Sequence, residues 1–370
     1  DATRKVTVTA NSLTVGGVIS GSGGLTKDGV GTLVLNSNSL YSGPTTINAG
    51  TLSLSDGSSA TGGFQNTSAV SIASGATLAI NRTGTTAQGS TSALGNVSIT
   101  GDGSLSMSGG AGAGTLTLSL ANTYTGGTTL TGGTITANNN SALGTGAVTI
   151  QSNAVRLVVS DGRTLANNIT LTGGTGAAGR GMLENSSTGN ATLAGGTITI
   201  TGSPVAGGHF AGASTGTLTV SDPVNSTVPV IFRLGTAIFG GGGTYSDFGI
   251  YSGTVRLGAN DGLSTSAKVD IGAVGELRPR RIQSVPQRTQ QERERRQRRQ
   301  QSFFQHLHTH HHRHFELRWR HRRQPRLRNR QGGTQGQFRI PDPQRHQHLL
   351  RQHHRGRRHT HRRGPNQHPR

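Results

Sequence analysis

An all-β solenoid is the fold predicted for residues 1–277, and three observations predict it. Short runs alternate with period two: Thr32-Leu33-Val34-Leu35, Ala147–Ile150, Thr197–Ile200 and Thr217–Val220. That is the spacing of a strand with one face turned inward. Gly-Gly and Ser-Gly clusters separate these runs and supply turn chemistry. A long motif also recurs without insertion, as GVGTLVLNSNSLYSGPTTINAGTLSL (Gly29–Leu54) and GAGTLTLSLANTYTGGTTLTGGTITA (Gly112–Ala137). Tyr41 falls on Tyr124, Gly43 on Gly126, Thr45 on Thr128 and Gly50 on Gly133, a constant offset (124 − 41 = 83). Internal repetition of this kind points to a stacked architecture.

Period two places Leu33, Leu35, Leu52 and Leu54 inward in the first copy, and Leu116, Leu118 and Ile135 inward in the second. Thr32 and Val34 face outward. Ser-Ala-Leu-Gly recurs at Ser92–Gly95 and Ser141–Gly144, and Gly242–Asp261 is a weaker echo. Almost no stretch has helical periodicity, and Gly and β-branched residues are poor helix formers. A sandwich or an antiparallel barrel would also use short, evenly spaced strands. Aromatics at 4% and mostly small aliphatics favour the narrow core of a solenoid. Outward Thr, Ser and Asn can form ladders between coils. Coils of about 20–28 residues give on the order of ten to thirteen coils, each rising about 4.8 Å.

The chain changes character at Leu277. Residues 1–277 carry 10 Lys+Arg and 11 Asp+Glu, a net charge of −1; residues 278–370 carry 26 Arg, no Lys and 4 acids, a net of +22, which together give the chain's +21. The high isoelectric point therefore belongs to the tail. Residues 278–370 are predicted to be disordered, since low apolar content and like charge cannot offset chain entropy.

A basic arm of this kind binds polyanions through counterion release. About three quarters of this tail, though, is Arg, Gln, His, Pro and Leu, the residues whose codons share a first-position C. A slipped reading frame produces that set. Read one base on, each tail residue decodes to a small set, and from those sets Leu277–Val285 (LRPRRIQSV) can be read as L-D-L-G-G-F-N-Q-S and Pro341–Arg355 (PDPQRHQHLLRQHHR) as L-T-L-S-G-T-N-T-Y-S-G-N-T-T-V. The second string repeats the pattern of Leu116–Leu130 (LTLSLANTYTGGTTL). The sequence reading is therefore a frameshift near Leu277. Nucleic-acid binding by the Arg runs is then a nonspecific artefact.

Gly24–Leu35 (GLTKDGVGTLVL), followed by Leu40-Tyr41-Ser42-Gly43, Thr45-Thr46-Ile47 and Ala49-Gly50-Thr51-Leu52, resembles the autotransporter-associated β-strand repeat of type V secretion passengers. Gly112–Ile135 is similar but lacks the Leu-Thr-Lys lead-in, and Gly253–Leu263 resembles a late segment of the same family. The resemblance implies a right-handed parallel β-helix (β-solenoid), followed here by the disordered Arg/His/Gln-rich tail. It implies export through the periplasm and display at the bacterial cell surface, outer membrane or exterior by a C-terminal outer-membrane β-barrel, the partner supplied by the parent protein. The chain opens at Asp1 without a charged-then-apolar leader. It has no apolar stretch long enough for a membrane helix and no barrel-type strands with aromatic girdles. An internal passenger fragment is the expectation. The absence of Cys fits passage through an oxidising periplasm.

Catalytic, cofactor-binding and metal-binding residues are assigned to none. A carbohydrate-active β-helix needs clustered carboxylates; the nearest acids are Asp247 with Asp261 and Asp261 with Asp270. A Ca²⁺-binding nonapeptide repeat needs an Asp that Phe239–Thr244 (FGGGGT) lacks. Gly21-Ser22-Gly23 is a Gly-rich turn, and His209 is the sole histidine before the break. His308, His310, His311, His312 and His314 could hold Zn²⁺ or Ni²⁺, as an accident of the slipped frame, and Trp319 alone is no base-stacking surface. A structural stalk without a small-molecule substrate is thus the first reading. The others are an adhesin whose host or cell-surface ligand is unknown, with Thr201–Gly216 as its candidate insertion, a polyanion binder and, last, a carbohydrate-active enzyme.

Overall fold

The computed structural model describes residues 2–279, apart from 90–92, 110–113, 152–154, 173–179, 187–188, 202–207, 213–214 and 260. The chain divides into two units, residues 1–283 and 284–370, and the predicted disordered tail lies outside the described residues. Every assigned element is a strand, and every strand pairing is parallel. The first unit is a β-solenoid.

Eleven strands stack in one sheet, which sets the number of coils. It runs from Ser12–Val15 through Thr32–Leu35, Thr51–Leu54, Thr77–Ile80 and Ser104–Met107 to Gly243–Thr244. We call it the second sheet. A first sheet of five strands begins at Arg4–Thr7 and ends at Ile99–Thr100. A third begins at Thr85–Ala87 and carries the later coils. Coil length varies: Thr32 pairs with Thr51 (51 − 32 = 19 residues on), whereas Ile169 pairs with Ile198 (198 − 169 = 29). The ladder registers hold across both lengths.

Period-two alternation sends one row of each strand inward. On the second sheet Leu33, Leu52, Leu78 and Leu105 are successive register partners, as are Leu35, Leu54, Ile80 and Met107. On the third sheet Leu116, Ile135, Leu157, Leu183 and Phe210 stack in the same way. All of these are at most 1% exposed. Each fully buried aliphatic contributes about 1.5–3 kcal/mol. Val34, expected outward, does face away from the core row but is itself buried. The last coils widen and take aromatics: Phe239 packs edge-on against Phe210 and Phe248, with ring centroids 5.3 and 5.1 Å apart.

Corners are tied from coil to coil by asparagine. The side-chain oxygens of Asn140, Asn168 and Asn190 accept from the backbone N–H of Thr164, Thr197 and Thr217, each at 3.0 Å. An amide side chain thus satisfies a donor that the turn takes out of the ladder. At the far end, Asp247–Leu257 runs for 11 residues without a corner. Its first part pairs with Val230–Phe232 and its second with Thr236–Phe239, so two faces merge. Lys268–Arg278 pairs along it, with a register shift after Ile250.

Candidate functional surface

Two surfaces stand out once the coils are stacked. The first is a pair of hydroxyl columns on the second sheet. Ser106, Thr129, Thr149, Thr170 and Thr199 occupy one register position in five successive coils, continued by Asn225 and Thr244. Two residues along, on the same face, come Thr131, Gln151, Thr172 and Thr201, all exposed. Their backbone N–H groups extend the ladder to Met107, Leu130, Ile150 and Leu171 at 2.8–3.0 Å. Threonine recurs because a β-branched side chain fits the pleat and its hydroxyl remains hydrated. The columns carry no charge. They form a flat grid of hydrogen-bonding groups spaced about 4.8 Å along the stack.

The second surface is an ion-pair cluster on the outer side of the third sheet. Glu184, 1% exposed, accepts from Arg156 Nη1 at 2.7 Å and from Arg180 Nε at 2.9 Å. A buried carboxylate needs such partners, since desolvation alone would cost several kcal/mol. Arg156 reaches from the preceding coil and Arg180 from the residue before Gly181–Asn185, so the pair ties two successive coils at Glu184. Ala211, and not His209, stands opposite Glu184 in the ladder. His209 Nδ1 accepts from the backbone N–H of Ile231 at 3.1 Å, which places its proton on Nε2. The two arginine contacts together occupy both oxygens of the Glu184 carboxylate.

The residues singled out by sequence are spread along the solenoid. Asp247 opens its long strand beside Ser246, Asp270 is 81% exposed near Lys268, and Asp261 lies on a turn. Ladder register pairs Asp247 with Lys268 and Gly249 with Asp270, so the acids do not face one another. Among the described residues no group of three or more His, Cys, Asp or Glu could hold a metal ion. No helix there is long and apolar enough to cross a membrane. Phe239–Thr244 is a strand end, a glycine turn and the start of Gly243–Thr244. The tail histidines and Trp319 lie outside the described residues.

Thr201–Gly216 needs correction. Its sequence lacks alternation, but Gly208–Ala211 is a strand of the third sheet. All four residues are buried, so neither face had to be polar and the period-two signal vanished. Residues 202–207 and 213–214 of this segment lie outside the described residues. Sequence reading also missed two charged side chains. Lys27 is 0% exposed and sits in an inward row between Val6 and Ile47. Its ammonium donates to the carbonyl oxygens of Asp28, Gly29 and Ala49 at 2.9, 2.7 and 3.0 Å. Burial holds its pKa below the ordinary lysine range, against the pull of Asp28. The alternation from Leu25 was the available signal. For Glu184 there was none, because one of its two partners, Arg156, lies in the preceding coil.

The family model described as passenger-associated-transport-repeat matches residues 25–54 and 111–137. No curated protein and no solved structure matches the chain. Each matched segment contains a Thr-Leu strand paired one coil on with a Thr-Leu or Thr-Ile strand, Thr32–Leu35 with Thr51–Leu54 and Thr115–Leu118 with Thr134–Ala137. Two such repeats within a continuous parallel β-solenoid support the reading of an autotransporter-type passenger repeat domain.

Proposed function

We propose that this domain is a rigid, non-catalytic stalk segment, displayed at the bacterial surface by an outer-membrane β-barrel of its parent protein. The observation that carries this is the uninterrupted eleven-strand parallel ladder of a solenoid whose coils include both transport repeats. Ten steps of about 4.8 Å extend it by roughly 48 Å, with each coil held by its neighbours on both sides. A stalk needs stiffness along its axis, and continuous apolar rows with asparagine-tied corners supply it. Where the stalk meets another surface, the hydroxyl columns are the face it offers: neutral, flat and able to donate and accept.

Fusing residues 1–279 between a secretion leader and an outer-membrane β-barrel tests the reading. Intact cells should expose an epitope placed at Ser58 to antibody and to added protease. Retention in the periplasm despite a folded solenoid would overturn surface display. Cells bearing the segment should not depolymerise polysaccharides, and product release from any would overturn the non-catalytic role. Thr149→Lys with Thr170→Lys should abolish surface contact made through the columns while leaving display unchanged.

A further inference from the structure

One corner of the solenoid buries a carboxyl group away from any cation. Asp222 lies between Thr217–Val220 and Val224–Ser226 and is 2% exposed. Its Oδ1 accepts from the backbone N–H of Gly196, in the preceding coil, at 2.9 Å. Its Oδ2 is buried without a hydrogen-bond partner among the described residues. The corners packed on it are glycine. Gly195-Gly196 lies on one side, and on the other a Cβ at Gly241 would stand 2.1 Å from the Asp222 carbonyl oxygen. Neither corner brings a charged side chain to the carboxyl. Burial therefore pushes it above the usual carboxylate range, against the pull of the Gly196 and Gly195 N–H groups. Two coils earlier the same corner holds Asn167, whose Nδ2 donates to the carbonyl oxygens of Gly144 and Gly146 at 3.1 and 2.9 Å. An amide would serve the fold at 222 as well, and the sequence places an acid there.

The next residue is Pro223. Proline has no N–H, so it cannot attack the aspartate side chain to form an imide, the usual competing cyclisation. Its nitrogen belongs to a tertiary amide and leaves as a secondary amine. Both sides of this bond are anchored. The N–H groups of Ser221 and Asp222 donate to the Leu193 carbonyl at 2.9 and 3.2 Å. The Pro223 carbonyl accepts from Ile198 at 2.9 Å, and Val224 donates to the Gly242 carbonyl at 3.1 Å.

We propose that the Asp222–Pro223 peptide bond is a self-cleavage site, with the Asp222 carboxyl as its nucleophile. Oδ2 bonds to the Asp222 carbonyl carbon as its proton passes to the Pro223 nitrogen. The C–N bond breaks, leaving a cyclic anhydride on Asp222 and a free amine on Pro223. Oδ1 becomes the exocyclic oxygen of that anhydride and keeps the Gly196 N–H. Water then opens the ring to a pair of carboxyl groups. The scission is a single turnover on the chain's own backbone, so it stands apart from the stalk reading. Both new ends remain hydrogen-bonded to neighbouring coils, so the nicked solenoid stays assembled until it is denatured.

The test is to hold the folded 370-residue chain at about pH 5, where a solvated aspartate has largely ionised and a buried one retains its proton. Mass spectrometry and N-terminal sequencing should find residues 1–222 and a partner beginning at Pro223. In urea the rate should fall at least about tenfold, to that of the chain's other Asp-Pro pair, Asp342-Pro343. Raising the pH should slow the folded reaction, as Oδ2 loses the proton it must give. Asp222→Asn keeps an acceptor for Gly196 but no acid proton, and should melt as wild type and stay whole. Pro223→Ala reopens the imide route and should isomerise at Asp222 instead of splitting. An uncut folded chain, an equal rate in urea, or cleavage persisting in either variant would each overturn the proposal.

Discussion

The two repeats share a local structure and differ in where the solenoid puts it. In each, a strand of alternating Leu or Ile is followed one coil later by its partner: Leu33 by Leu52, Leu116 by Ile135. In each, a buried tyrosine hydroxyl meets the threonine four residues on, Tyr41 with Thr45 at 2.7 Å and Tyr124 with Thr128 at 2.6 Å. Each closes on a glycine with positive φ, Gly50 at 65° and Gly133 at 75°. Yet the first copy opens in the second sheet and the second copy opens in the third. From Thr32 the ladder climbs three coils, through Thr51 and Thr77 to Ser104, and Thr115 then begins on the next face. The constant offset is three coils and one face. The repeat is therefore a coil-forming unit that any face can accept, because inward rows of similar aliphatics meet it on each.

The strongest test of that equivalence is the core. Leu33→Asp and Leu116→Asp each place a carboxylate in a row that is fully buried, at a cost of at least about 3 kcal/mol unless the group protonates. Urea melts should show the same loss for both, although the sheets differ. A fold unchanged by either substitution would contradict the register.

The closing glycines should follow. A Cβ on Gly50 would stand 2.4 Å from the Gly31 carbonyl oxygen, and one on Gly133 would stand 2.3 Å from that of Gly114. Neither neighbour is a side chain that can swing away, and positive φ strains alanine as well. Gly50→Ala and Gly133→Ala should each cost about 1–3 kcal/mol, read as matched falls in melting temperature. A cost at one site alone would show that the corners are not equivalent.

Lys27 separates the copies. Its counterpart in the second copy, 83 positions on, is a glycine. Lys27→Met should cost about 1–3 kcal/mol, since the carbonyl oxygens it binds lose a charged donor. Because burial lowers its pKa, the folded chain releases this proton before the unfolded chain does. In the window between the lowered pKa and the ordinary lysine value, the unfolded state binds more protons, so the contribution of Lys27 to stability rises with pH. Melts of wild type against Lys27→Met across alkaline pH read this directly; an advantage that shrinks across the window would contradict it.

The tyrosines should give the smallest effect and the finest contrast. Thr45 also bonds Thr67 at 2.9 Å, whereas Thr128 otherwise reaches only the Leu143 carbonyl at 3.4 Å. Tyr124→Phe should therefore cost about 1–1.5 kcal/mol and Tyr41→Phe about 0.5. The reverse order in denaturant melts would mean that the hydroxyl chain in the first copy acts as a unit.

Local pattern alone determined the strands, the inward residues of both repeats and the stacked architecture. Period-two alternation and glycine corners are short-range properties, and a strand built this way has one apolar face wherever it lands. What only the tertiary structure decided is which strand lies above which. Coil length varies with every corner, so residue spacing does not reveal face. That is why the sequence led to the expectation of outward ladders but not to which residues join them, one per coil from Ser106 to Thr244, and gave no sign of the Arg156–Glu184–Arg180 cluster. It is also why Gly208–Ala211 was passed over, since burial on both sides erases alternation. Parallel stacking turns distant residues into neighbours, and only the register of the ladders says which ones.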